Sequence, residues 1–147
     1  MLLERPCLIV VTVETTEFSF PSRIDTVEAA AAAVAEFIGR AGVGEESAFG
    51  IDMAVREAVT NAVLHGNLQD EAKTVEVKCI TSAGAIEITV RDMGTGFDVQ
   101  NVPDPTDEQN LLKTSGRGIL FMRTFMDHVE WSRHPKGGTI VRMTKKT

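Results

Sequence analysis

Residues 74–92 read TVEVKCITSAGAIEITVRD, and the fold class turns on this stretch. Apolar and polar side chains alternate on both sides of Ser82-Ala83-Gly84-Ala85. A period of two is that of a half-buried strand, and a short Gly-containing break between two such runs is a β-hairpin signal. A hairpin makes its strands antiparallel neighbours. Downstream the pattern repeats: VEWS, a turn at His134–Gly138 and TIVRM form a second hairpin. Upstream, CLIVVTVETTEFSF (residues 7–20) is rich in Val, Ile, Thr and Phe and reads as one or two strands ended by Pro21.

Helical spacing fills the rest. Val27, Ala31, Val34, Ala35 and Ile38 lie on one face of a helix expected over Asp25–Arg40, with Ser22 and Asp25 as candidate caps and Glu28 placed to close a capping box with Asp25. GRAGVG stops it. Ile51, Val55, Ala58, Val59 and Ala62 form the stripe of a second helix, about Glu46 to Leu64, with Gly66 as its stop. Ile119, Met122, Phe125 and Met126 mark a third over Gly118–Asp127, where the Met and Phe side chains suit core and dimer packing. The basic tail after Met143 is expected to fray. Two hairpins with helices clustered in sequence predict an α+β two-layer sandwich, a mostly antiparallel sheet covered on one face, rather than a doubly wound parallel fold.

The chain has 147 residues, 43% of them apolar and 24% charged, which suits one domain with a real core. A net charge of −6 argues against non-specific binding to nucleic acid or anionic membrane. No apolar run approaches the roughly 20 residues of a membrane span. The start, MLLERPCLIVV, reads as no signal peptide, so a cytoplasmic location is expected. Cys7 and Cys79 sit in strand-like runs and read as buried thiols rather than a disulfide or metal site.

Three constellations carry chemistry. In EAVTNAVLHGN (residues 57–67), Glu57 and Asn61 stand one helical turn apart, about 5–6 Å at Cβ, away from the core stripe and among short or apolar neighbours. An amide oxygen suits Mg²⁺, and a carboxylate one turn away suits a general base; taken alone, the pair also fits a partly exposed polar face. In DMGTGFD, Asp92 can accept a hydrogen bond from an exocyclic amine such as adenine's, while Gly94 and Gly96 let the backbone come close to a flat ligand. A capped Gly-rich turn is the plainer alternative. In SGRGILFMRTFMDHVEW, Ser115, Gly116, Arg117 and Gly118 lead straight into a helix whose free N–H groups can hold phosphate, with Lys113 adding charge. The spacing is neither G-x-G-x-x-G after a strand nor G-K-[ST], which excludes Rossmann and Walker A readings.

Taken together, the three segments resemble the nucleotide-binding boxes of the GHKL (Bergerat-fold) ATPases, and are most similar to those of the bacterial anti-sigma factor serine/threonine-protein kinases. The resemblance runs from about Phe20 to Met143. It implies ATP and Mg²⁺ as cofactors, Asn61 as the Mg²⁺ ligand, Glu57 as the base that activates a partner's hydroxyl, Asp92 as the adenine acceptor, Gly94 and Gly96 as the floor, Gly116 and Gly118 at the phosphates, and residues 99–115 as a lid. It also implies a homodimer, a sigma factor and an anti-anti-sigma (STAS-type) protein as partners. Some family members carry Arg two residues before the first glycine of the third box; this chain has Thr114, with Lys113 and Arg117 as the nearby cations. A nucleotide-binding switch of the same fold with little kinase activity is the second reading.

Overall fold

The computed structural model describes residues 13–94 and 117–147. Strand β1 (Glu14–Pro21) is followed by helices α1 (Thr26–Arg40) and α2 (Glu45–Asn61), and α2 runs on into a π-helical turn over Ala62–Gly66. The hairpin β2 (Thr74–Ser82) and β3 (Ala85–Arg91) comes next, then α3 (Arg117–Phe125), β4 (His128–Arg133) and β5 (Thr139–Lys146). The sheet order is β1-β2-β3-β5-β4, and every neighbouring pair is antiparallel. This is the α+β architecture read from the two hairpins.

Register explains why one face of the sheet is apolar. Val77 pairs with Val90, Cys79 with Ile88, Ile88 with Met143, and Val90 with Val141, and all of these are buried. The alternate positions carry charge: Glu76 meets Arg91, Lys78 meets Glu17, and Arg142 bridges Glu87 and Glu130. Against the apolar face lie Phe37 of α1, Ile51, Val55, Val59 and Val63 of α2 and its turn, and Met122 of α3, in one continuous core. The Ser82–Ala85 turn closes through Gly84 at φ +72, a left-handed conformation that favours glycine.

Several expectations need correction. The Asp25–Glu28 capping box does not form. Asp25 already has helical φ/ψ of −69° and −15°, where a capping residue needs extended backbone. Its carboxylate pairs with Arg23 instead, and Glu28 reaches across to Arg56 of α2. The first turn of α1 is tied down by the Thr26 hydroxyl, which donates to the Pro21 carbonyl. Gly66 does not end α2 as a simple stop, because the chain passes through a wider turn there. The basic tail does not fray after Met143: β5 continues to Lys146, whose N–H donates to Asp127 at 2.6 Å, and Thr147 N–H donates to the Gly84 carbonyl at 2.9 Å. Cys79 is fully buried in β2, as read; Cys7 lies outside the described residues.

Candidate functional site

Asp92 follows the last residue of β3, where the end of the sheet meets the end of α2. Its carboxylate is buried. Oδ1 accepts the N–H of Gly94 at 2.9 Å and of Thr139 at 3.2 Å. Among the described residues Oδ2 has no hydrogen-bond partner. Burial raises the carboxyl pKa above its ordinary value, and the two backbone N–H groups, with Lys73 and Arg91 nearby, hold part of that rise back. The result is an acceptor held by one oxygen and presented by the other.

Glycines make this arrangement possible by direct contact. A Cβ on Gly66 would lie 2.3 Å from Asp92 Oδ2, one on Gly94 would lie 2.0 Å from the Gly66 carbonyl oxygen, and one on Gly138, at φ +91, would lie 1.9 Å from the Asp92 carbonyl oxygen. The end of the α2 turn, the DMG segment and the β4–β5 turn therefore touch backbone to backbone at one place. Asn67 locks them. Fully buried, it donates from Nδ2 to the Thr74 carbonyl at 3.0 Å and accepts the Met93 N–H on Oδ1 at 2.8 Å. Arg91 supports the other side by donating to the Gly137 carbonyl at 3.2 Å. Gly66, Asn67, Gly138 and Thr139 were absent from the sequence reading of this site. Only the HGN at the end of the first box carried a signal, because a buried Asn beside a Gly marks a constrained turn.

Glu57 and Asn61 lie on α2, both half-buried. Among the described residues neither side chain has a hydrogen-bond partner, whereas the neighbouring Thr60 hydroxyl donates to the Arg56 carbonyl at 2.7 Å and Arg56 bonds both Asp52 and Glu28. So Glu57 and Asn61 are uncommitted polar groups on a half-buried face. No three His, Cys, Asp or Glu side chains converge among the described residues. An ion held by one amide oxygen, phosphate oxygens and water fits that supply, and this is how Mg²⁺ is commonly bound.

The structure thus brings the end of the first motif against Asp92 and Gly94 of the second. Arg117 and Gly118 form the first turn of α3, which packs along α2, with Phe125 against Gly50. Gly96, Lys113, Ser115 and Gly116, and with them Thr114 and the loop read as a lid, lie outside the described residues.

Residues 20–145 match the family model of the histidine kinase-like ATPase domain. The chain belongs to the histidine kinase-like ATPase domain family. It is 35% identical to an anti-sigma F factor of Oceanobacillus iheyensis over 87% of its own length and 89% of the relative's, and 36% identical to one of Clostridium perfringens over 77% and 82%. Two solved structures share the fold. One is the SiaB–SiaC complex of Pseudomonas aeruginosa, with a TM-score of 0.68 at 14% identity, covering 88% of both chains. The other contains the RsbU and RsbW domains of a Mycobacterium tuberculosis protein, with a TM-score of 0.65 at 17% identity, covering 90% of this chain and 32% of that one. No helix among the described residues is long and apolar enough to cross a membrane.

Proposed function

We propose that this chain is an ATP-binding anti-sigma factor and serine/threonine-protein kinase, which sequesters a sigma factor and phosphorylates an anti-anti-sigma partner. The observation that carries the reading is Asp92: a buried carboxylate with one oxygen held by two backbone N–H groups and the other without a hydrogen-bond partner among the described residues. The names of its relatives, anti-sigma F factors, support the regulatory half.

In this reading adenine's amine donates to Asp92, above a floor of Gly94 and Gly96. Lys113, Ser115, Gly116, Arg117 and Gly118 take the phosphates, and the free N–H groups and dipole at the N-terminus of α3 favour the anion. Asn61 would hold Mg²⁺, and the ion would supply neutralisation of the phosphate charge. Glu57, one turn away, accepts the proton of a partner Ser or Thr hydroxyl as its oxygen bonds to the γ-phosphorus and ADP leaves. The unphosphorylated partner binds the kinase homodimer and frees the sigma factor, and phosphorylation ends that competition.

The test is transfer of label from γ-labelled ATP to an anti-anti-sigma protein encoded beside this chain. Wild type should label it, and Glu57→Ala should bind ATP yet transfer nothing; undiminished transfer by the variant removes Glu57 from the role of base. Thr114 favours a second reading, a nucleotide-operated switch without kinase activity. Intact nucleotide affinity with no label in the wild-type reaction selects it.

A further inference from the structure

Phe49 of α2 is 60% exposed, an unusual placement for a large aromatic side chain beside a well-packed core. It belongs to a ladder of rings on two helices. Its ring meets Phe125 of α3 edge-on, with centroids 5.8 Å apart and planes at 86°, and Phe125 stacks on Phe121 at 6.2 Å and 16°. Phe121 is itself 38% exposed. The ladder is held close to α2, because a Cβ on Gly50 would already lie 3.3 Å from Phe125 Cβ. These rings are therefore presented rigidly, which suits aromatic anchors in protein–protein contacts.

Beside Phe49 a groove of about 400 Å³ runs between α1 and α2. Its floor includes the small residues Ala31, Ala35, Gly39 and Ala48, and its charged lining groups are Glu45 and Asp52 alone. Glu46 adds a further exposed acid in the first turn of α2. The neighbouring cations are already engaged, Arg56 with Asp52 and Glu28 and Arg40 with Glu14, so among the described residues Glu45 and Glu46 are the lip's acids without an ion pair. An apolar trough with a small-residue floor and an acidic lip matches a helix whose apolar face is flanked by basic side chains.

We infer that the α1–α2 groove, with Phe49 as its anchor, docks an amphipathic helix of a partner protein that carries Lys or Arg beside its apolar face. A second copy of this chain is the poorer occupant. A two-fold contact here would bring two copies of the acidic lip into one interface, in a chain of net charge −6. The surface uses none of Asp92, Glu57 or Asn61, so it stands or falls separately from the nucleotide chemistry.

The probe is a short fluorescein-labelled helix of Leu and Lys at helical spacing, with a counterpart that has Glu in place of Lys. Binding to the full chain is read by fluorescence anisotropy, and its location by amide shift changes. The Lys peptide should bind and shift amides of α1 and the first half of α2, while the Glu peptide should not bind. Phe49→Ala should weaken the Lys peptide by about tenfold, and Glu45→Lys, which removes no ring contact and should keep thermal stability, by a similar factor, with nucleotide affinity unchanged in both. Equal binding of both peptides, no binding, or shifts confined to another face overturns the proposal. So does sedimentation showing that Phe49→Ala turns a dimer into a monomer, which would make the groove a contact between copies.

Discussion

The two ends of the candidate site are built in opposite ways. Around Asp92 the backbone is tightly committed: three glycines leave no room for a methyl group, and Asn67, Gly94 and Thr139 are all hydrogen-bonded within the cluster. On α2, Glu57 and Asn61 stand half-buried with no partner among the described residues. In the proposed function the closed end would read the flat base by shape and one hydrogen bond, and the open end would offer polar groups to ions, phosphate and a hydroxyl that arrive together. The division has an energetic sense, since pre-paid packing belongs where the ligand is rigid, and uncommitted donors and acceptors belong where charge must be gathered.

The contrast can be broken most forcefully at Gly138. Alanine there meets the Asp92 carbonyl at 1.9 Å and keeps a φ of +91 that L side chains rarely adopt. Gly138→Ala should lose about 3 kcal/mol or more in urea unfolding and abolish thermal stabilisation by Mg-ATP. A loss below about 1 kcal/mol would show that the closed end yields easily. Asn67→Ala comes next. It strands the Met93 N–H and the Thr74 carbonyl, and should lower stability by about 1–3 kcal/mol by the same assay.

Asp92→Asn separates fold from recognition. Its Oδ1 can still accept both backbone N–H groups, but an amide nitrogen offers adenine's amine a donor. Nucleotide affinity should fall at least about a hundredfold by calorimetry, comparable to stranding one buried polar group, while the fold persists. Stability should carry a signature of its own. Burial raises the Asp92 carboxyl pKa, so the folded state holds its proton more tightly than the unfolded chain does. That contribution is complete below the ordinary carboxyl pKa and is lost as pH rises through the raised folded value. Wild type should therefore lose stability relative to Asp92→Asn across that interval, and parallel pH curves for the two proteins would show that Asp92 titrates as an exposed carboxyl. The smallest effect is expected at the open end. Asn61→Ala should change folding stability by less than about 0.5 kcal/mol, yet weaken Mg-dependent nucleotide binding while leaving Mg-free binding alone. A large loss of stability would mean that Asn61 is a structural residue.

Local chemistry was legible from the chain. Alternation around Ser82–Ala85 predicts the hairpin, the stripe Ile51–Val55–Ala58–Val59–Ala62 predicts the buried face of α2, and Asp92 before Gly94 points to a recognition turn; the first two are consequences of period, which a sequence displays directly. Gly138 and Thr139 were not legible as parts of the site, and Asn67 was legible only as the end of the HGN turn. Thr139 reaches Asp92 across 47 positions only because β5 pairs with β3, with Arg91 opposite Ile140. The capping box failed for a related reason, since Asp25 and Glu28 each found an arginine, one of them on another helix. The tail after Met143 is polar and basic and so reads as frayed, but a strand's hold comes from its neighbours, and β3, Asp127 and Gly84 supply them.

By itself the sequence determined the order of elements, the antiparallel character of the sheet and the residue types able to meet a base, an ion and a phosphate, because these depend on periodicity and on side-chain chemistry. Only the tertiary structure decided which glycines must be glycine, which oxygen of Asp92 is held and which presented, and that Phe49 is left in the open. Those outcomes depend on which backbones come within van der Waals contact, and contact is set by register and packing between segments far apart in the chain.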